Sequence, residues 1–414
     1  MLELWIKAVI EWMYIGIHWL LLIPLVSGLI GWLTNVIALQ MTFYPLYFKG
    51  IGRIGWQGII PARASQMAAL AVDLILERLI DMPNQFKRIK AKEITELHKK
   101  QIEVIVRESM NQTLKEQAPL IWKIIPLKIK EWLISETLKE IPTAINLTIQ
   151  DIQNHIEELL DIKAMVITQL EADKNLLNQI FMTCGYQEFQ FIKRSGFYFG
   201  FLLGSIQMLS WYHFNHYEYA WLILPIGGLL IGFLTNWLAL KLIFHPIQPI
   251  QIGNWTIQGL FLKRQKEVAI LYASLVAKHI LTPTKMVDTM IYGNRANQLH
   301  IIIQENVEHT ISRIVGIWGT LFQILGGYFR YHQFSEQIGN MIYKKTPIIL
   351  QNSETYIEKA IDIENTIQSK MSNLTPEAFI SFLRPIFKAD EWKLILVGTI
   401  LGGVAGVLQL FFLY

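Results

Sequence analysis

The sequence predicts a mostly α-helical membrane protein built from two parallel tandem repeats. Each repeat carries a spanning helix, a short β-hairpin, a cytoplasmic helical domain and a second spanning helix, four spans in all. Three observations predict it. Residues 24–45 (PLVSGLIGWLTNVIALQMTFYP) recur without a gap as residues 225–246 (PIGGLLIGFLTNWLALKLIFHP), 201 positions later and with 11 identities, which is the self-similarity of a duplicated unit. The 414 residues are 52% hydrophobic and only 17% charged, and the apolar ones fall in blocks long enough for a hydrocarbon core of roughly 30 Å. Gly196, Gly200, Gly204, Gln207 and Tyr212 reappear as Gly398, Gly402, Gly406, Gln409 and Tyr414 at an offset of 202. Two spans per unit return the chain to its starting side, so the repeats are expected to be related by an axis along the membrane normal.

In chain order, residues 1–19 read as an interfacial lead-in. Glu3 and Glu11 accompany a single Lys7, and no small-residue cleavage site follows, so a cleaved signal peptide is not expected. The first repeat covers 20–212, with spans 20–44 and 196–212 around a helical domain at 46–194. Residues 213–219 form a short external loop. The second repeat covers 220–414, with spans 220–245 and 392–414 around a helical domain at 247–391. The span at 196–212 is the shortest.

Behind the first and third spans, QIGNWTIQG places Gly253 and Asn254 between alternating apolar residues, a two-residue hairpin turn. KGIGRIGWQG keeps Ile51, Gly52, Gln57 and Gly58 in the same register. Leu262 stands where the first copy has Pro61, which predicts a differently shaped exit from the second hairpin.

Basic residues set the orientation. Lys49, Arg53 and Arg63 follow span one, Lys193 and Arg194 precede span two, Lys263, Arg264 and Lys266 follow span three, and Arg384 and Lys393 precede or begin span four, whereas HFNHYE at 213–218 has no Lys or Arg. The positive-inside rule then puts both polar regions in the cytoplasm. Trp211, Tyr212, Tyr217, Tyr219 and Trp221 supply an aromatic belt at the opposite face.

A net charge of +4 with interspersed signs leaves no nucleic-acid footprint, and one cysteine, Cys184, excludes an intrachain disulfide and a thiolate cluster. No GxxxxGK[ST], HExxH or GxSxG occurs, so neither an enzyme nor a cofactor is expected. Gly50, Gly52 and Gly55 match GxGxxG but follow a span instead of a strand, and read as a turn. Asp151, His155 and Glu158, and Glu305 with His309, are spaced to share helix faces; a solvated face is the commoner reading and no metal is expected.

Each first span of a repeat carries a face of small residues ending in an amide: Ser27, Gly31 and Asn35, then Gly228, Gly232 and Asn236. Such faces let helices approach closely, and an Asn in hydrocarbon needs a partner. Thr34, Asn35, Thr235, Asn236, Gln207 and Gln409 therefore either form an interhelical polar seam or line a midplane site, with the glutamines expected to pair with the asparagines. The ladders Gly196, Gly200, Gly204 and Gly398, Gly402, Gly406 are packing faces. Residues 120–135 (LIWKIIPLKIKEWLIS) interleave Lys with apolar residues, as a core helix or as a segment on anionic lipid.

GxLTNxxAL followed by Phe and Pro, then QG(I/L) and Arg63 or Arg264, together with FIKRSGFYFGFLLGSIQ and FLRPIFKADEWKLILVGTILGGVAG, resembles the bacterial membrane proteins of domain-of-unknown-function family 445. The layout is closest to its cyanobacterial branch, an uncharacterised thylakoid membrane family. The resemblance implies a bacterial inner or thylakoid membrane and carries over no catalytic residue. The expected function is a non-enzymatic scaffold or membrane-surface module whose partners are the bilayer, anionic lipid or other proteins. The alternative is a transporter of a small solute, ion or lipid using the Thr-Asn pairs.

Overall fold

A computed structural model describes residues 2–52, 54–117, 119–214, 216–324, 328–388 and 391–413. Arg53, Asn215 and Tyr414, and the side chains of residues 2–21, lie outside the described residues. The chain is mostly helical and divides into two compact units, one of Met1–Ala71, Leu170–Tyr272 and Gln368–Tyr414, the other of Val72–Gln169 and Ala273–Ile367.

The first unit holds the apolar helices, labelled here in chain order: α1 (Leu2–Phe43), α2 (Ile59–Ala62), α3 (Lys174–Cys184), α4 (Tyr186–Phe214), α5 (Ile223–Phe244), α6 (Leu260–Lys263) and α7 (Glu391–Leu413). Among the described residues, three stretches are long and apolar enough to cross a membrane: Leu22–Phe43, Ala220–Phe244 and Glu391–Phe411. The sequence expectation of a fourth at 196–212 is not met on that measure. Its helix, α4, is long, but Lys193 and Arg194 at one end and Gln207, Ser210 and His213 at the other dilute its apolar run. The segment expected as a lead-in belongs to the same helix as the first span: α1 runs unbroken from Leu2 through Pro24 to Phe43.

Two hairpins follow α1 and α5. In β1 (Lys49–Ile51) and β2 (Ile54–Trp56), Ile51 stands opposite Ile54; in β3 (Ile250–Ile252) and β4 (Trp255–Ile257), Ile252 stands opposite Trp255 and the turn falls on Gly253 and Asn254, as the sequence predicts. Gly52 and Gly253 take φ of 60° and 58°, a left-handed conformation that costs glycine nothing. The GxGxxG match is thus a turn: Gly50 faces Gly55 across the ladder and Gly52 heads the loop.

Both hairpins are stapled to the preceding helix end in the same way. Gly58 N–H donates to Pro45 O and Gly259 N–H to Pro246 O, each at 2.9 Å. Gln57 Nε2 donates to Leu46 O at 2.8 Å and Gln258 Nε2 to Ile247 O at 3.1 Å. The peptides Tyr44–Pro45 and His245–Pro246 are both cis. The Pro61-to-Leu262 exchange does not reshape the exit, contrary to expectation: the residues capping α2 and α6, Gly58 (φ −51°, ψ 140°) and Gly259 (φ −50°, ψ 135°), have matching conformations. Proline is tolerated in a first helical turn, where its missing N–H has no intrahelical acceptor to lose.

The second unit draws on both polar regions. The helix Ala296–Ile324 packs on Leu127–Asn154, and Tyr328–Asn352 packs on Lys99–Gln117. The sequence expectation of two separate helical domains gives way to one mixed unit, because amphipathic helices of one region bury their apolar stripes against helices of the other. Hydrogen bonds cross between the regions too: buried His98 meets Ser353 Oγ at 2.7 Å, and Lys90 N–H donates to the Tyr356 hydroxyl at 2.8 Å.

Candidate functional site at a polar crossing of four helices

Burial along α1 recurs every three to four residues, at Ile23, Ser27, Gly31, Thr34, Asn35, Ala38 and Thr42; along α5 the same stripe is Leu224, Gly228, Gly232, Thr235, Asn236 and Ala239. Small residues let the backbones touch. A Cβ added at Gly31 would overlap the Gly196 carbonyl oxygen, one at Gly232 the Gly398 carbonyl oxygen, and one at Gly228 the Gly402 carbonyl oxygen. Gly200 faces Ser27 O, Gly204 faces the Ser27 side chain, and Gly406 faces Leu224 O. Helix pairs α1–α4 and α5–α7 are therefore in backbone contact at matching positions, the close approach that small-xxx-small faces permit.

The asparagines tie these pairs together. Asn35, fully buried, donates from Nδ2 to Ile192 O at 2.6 Å, and Asn236 donates to Leu394 O at 2.9 Å. Thr34 and Thr235 bond within their own helices, to Gly31 O at 3.1 Å and Ile231 O at 2.8 Å. That back-bonding satisfies a buried hydroxyl locally and leaves no donor for a ligand.

The glutamines do not pair with the asparagines, which corrects the sequence expectation. Ser27 Oγ donates to Gln207 Oε1 at 3.3 Å and accepts from Gln409 Nε2 at 3.4 Å, while Gln207 Nε2 donates to Leu224 O at 3.1 Å. Residues of α1, α4, α5 and α7 thus share one buried chain of hydrogen bonds. Ser27 lies eight residues before Asn35, about 12 Å along the axis at 1.5 Å per residue, beyond the reach of a glutamine at the Ser27 level. Its counterpart Gly228 has no hydroxyl, so both glutamines converge on the one serine.

The crossing is made of amides and a hydroxyl, groups that bond neutral or ionic partners but move no proton near neutral pH. One valence is spare: Asn35 Oδ1 is buried without a hydrogen-bond partner.

A second polar cluster in the same unit went unseen in the sequence. Arg264, just after α6, donates from Nη1 to both carboxylate oxygens of Glu188 on α4, at 2.8 and 2.7 Å, and forks onto Glu267 through Nε and Nη2 at 2.9 and 2.7 Å. The Glu188 side chain is 1% exposed. Burial pushes its carboxyl above the usual carboxylate range, and Arg264 pulls against that shift. Glu267 is held below its ordinary value by the same guanidinium. Cys184, one turn before Glu188, is buried, and desolvation raises its thiol to about 12. The sequence marked Arg264 as a basic residue behind a span and as part of a shared motif but gave it no partner, and gave Glu188 no role, because the pair is separated by 76 positions.

In the second unit, residues 120–135 are divided. Trp122, Leu133 and Ile134 are buried, with Lys130 Nζ 4.9 Å from the Trp122 ring centroid, whereas Leu120, Ile124, Leu127, Ile129 and Trp132 are exposed alongside Lys123 and Lys128. Asp151 accepts from Asn306 at 2.6 Å, and His155 bonds the Asp151 backbone. Among the described residues no three His, Cys, Asp or Glu side chains are grouped to hold a metal.

No protein-family profile matches the chain, and no solved structure matches it. Its relatives are bacterial membrane proteins named UPF0754. Those of Bacillus thuringiensis subsp. konkukian (strain 97-27) and Bacillus cereus (strain AH820) are 28% identical over 176 residues, 40% of this chain and 45% of theirs. One from Shouchella clausii is 37% identical over 70 residues, 16% of this chain and 18% of its own length. The matched stretch spans less than half the length of these relatives. Likeness to membrane proteins and three apolar helices together make this a membrane protein.

Proposed function

We propose that the chain is a four-pass membrane protein of two parallel repeats, of the family 445 kind that its motifs resemble, working as a non-enzymatic membrane-surface module. In this reading α4 is the fourth pass, its deficit in hydropathy offset by its glycine contact with α1 and by Tyr198, Phe201, Leu202, Ile206 and Leu209 turned outward. The helical unit is the working part and faces the cytoplasm, in a bacterial inner or thylakoid membrane. The observation that carries the reading is the corner at residues 120–132, where exposed Leu120, Ile124 and Leu127 stand among Lys123, Lys128 and Lys130. Exposed apolar side chains ringed by lysine suit an anionic bilayer surface, where area burial and charge attraction add.

The test places the full chain in neutral nanodiscs and measures its capture by vesicles with and without phosphatidylglycerol. Capture is expected only by anionic vesicles and is expected to fall when Lys123, Lys128 and Lys130 are changed to Glu. Equal capture by both vesicle types overturns the reading.

A second reading, transport of a small solute through the four-helix crossing, is favoured by the unpartnered Asn35 Oδ1. Its test is solute or ion uptake in proteoliposomes that disappears with Asn35→Leu and Asn236→Leu while folding is retained.

A further inference from the structure

We propose that the β1–β2 hairpin is a membrane-interface anchor that lodges Ile51 and Ile54 among the lipid headgroups at the end of α1. The two isoleucines face each other across the strands and are 90% and 85% exposed. A directly opposed β-branched pair normally stabilises a sheet by covering apolar surface, and among the described residues none covers it here. Strands of three residues are marginal in water without support, so the hairpin depends on what holds it.

One support is α1 itself. Trp56 Nε1 donates to Met41 O at 3.1 Å, and the Gln57 and Gly58 staples described above fix the base of the hairpin to the helix end. Trp56 and Lys49 pair two positions along from Ile54 and Ile51, beyond Gly50 and Gly55, on the same side of the ladder. The tip is therefore aimed by the helix that crosses the membrane and cannot swing freely away from it.

The occupant follows from continuity. The outward face of α1 is Leu22, Leu25, Leu29, Trp32 and Leu33, all exposed; it passes into exposed Tyr44, Tyr47 and Phe48, then into the isoleucine pair. Apolar side chains giving way to aromatics at a helix end mark the boundary between hydrocarbon and headgroups. Lys49 at the start of β1 puts a cation where lipid phosphates lie. In the second hairpin the pair next to the turn is Ile252 and Trp255, whose side chains lie outside the described residues, and the pair at the base, Ile250 and Ile257, at the positions of Lys49 and Trp56, is about half exposed.

This inference rests on the membrane reading but is independent of the corner at residues 120–132. The test attaches an environment-sensitive fluorophore to Ile54→Cys in the full chain in proteoliposomes; the unsubstituted chain, whose only cysteine is buried, controls for labelling. A blue-shifted emission quenched by lipids spin-labelled near the headgroup, and shielded from aqueous iodide, is the expected result. Emission quenched by iodide and untouched by spin-labelled lipid overturns the proposal. So does iodide shielding that appears only at high protein density without lipid quenching, because the cover is then a second copy of the chain. A parallel label at Leu230→Cys, on the exposed face of α5, is expected to be quenched by deeply labelled lipid. Failure there sinks the membrane reading and the anchor with it, whereas failure at Ile54→Cys alone sinks only the anchor.

Discussion

Arg264 closes both carboxylate oxygens of Glu188 at 2.7 and 2.8 Å, joining the turn behind the second hairpin to the first residues of α4. The Glu188 side chain is almost wholly buried while that of Arg264 keeps 14% of its surface exposed, so the cost of breaking the pair falls mainly on the acid. Arg264→Gln is expected to destabilise the protein by about 3 kcal/mol, the low end for one half of a buried pair because Arg264 keeps some water. Thermal unfolding in detergent checks it.

The same pair sets a pH dependence. Burial raises the folded-state pKa of Glu188 above its ordinary value of 4.5, so the folded protein holds this proton more tightly than the unfolded chain. Its contribution is complete below that ordinary value and is lost as pH rises through the folded one. Removing Arg264 raises the folded value further, so the deficit of Arg264→Gln is expected to be smallest in acid and to grow with pH. Glu188→Gln in the same background should flatten the growth. Melting temperatures across the pH range decide the matter.

Gly31→Ala and Gly232→Ala each drive a methyl group into a facing carbonyl oxygen. Backbone cannot yield as a flexible side chain does, and each change is expected to cost about 1–3 kcal/mol, as overpacking of a tight interface does. Leu29→Ala, on the exposed face of α1, is the control and is expected to stay within about 0.5 kcal/mol. Detergent melts of the three variants provide the comparison.

Asn35→Leu and Asn236→Leu remove the bonds to Ile192 O and Leu394 O. Each is expected to cost about 0.6–2 kcal/mol, the range of interhelical hydrogen bonds in membranes. The two residues sit on different helix pairs, so the double variant should be near-additive. Unchanged melting temperatures would remove the structural role assigned to these amides.

Cys184 is buried with a thiol raised to about 12, and thiolate is the reactive form. Maleimide labelling at neutral pH is expected to be slow in the folded protein and fast once it is unfolded in sodium dodecyl sulfate, which mass spectrometry resolves.

The membrane class, three of the long apolar segments, the hairpin turns at Gly52 and Gly253, and the buried faces carrying Gly31, Asn35, Gly232 and Asn236 were legible in the sequence. Each depends on spacing within some twenty residues, where period, composition and turn chemistry act locally. The hairpin exit at Leu262 was misread because Pro61 at the equivalent position of the first copy suggested a special shape, whereas the first helical turn accepts proline and leucine alike.

What only the tertiary structure decided is which side chains meet across long separations. Gln207 and Gln409 find Ser27 and not the asparagines, Glu188 finds Arg264, and parts of both polar regions combine into one helical unit. A side chain's need for a partner is written in its own chemistry. The partner's identity is fixed by the level at which neighbouring helices cross and by the faces left to bury, and neither quantity belongs to any one stretch of the chain.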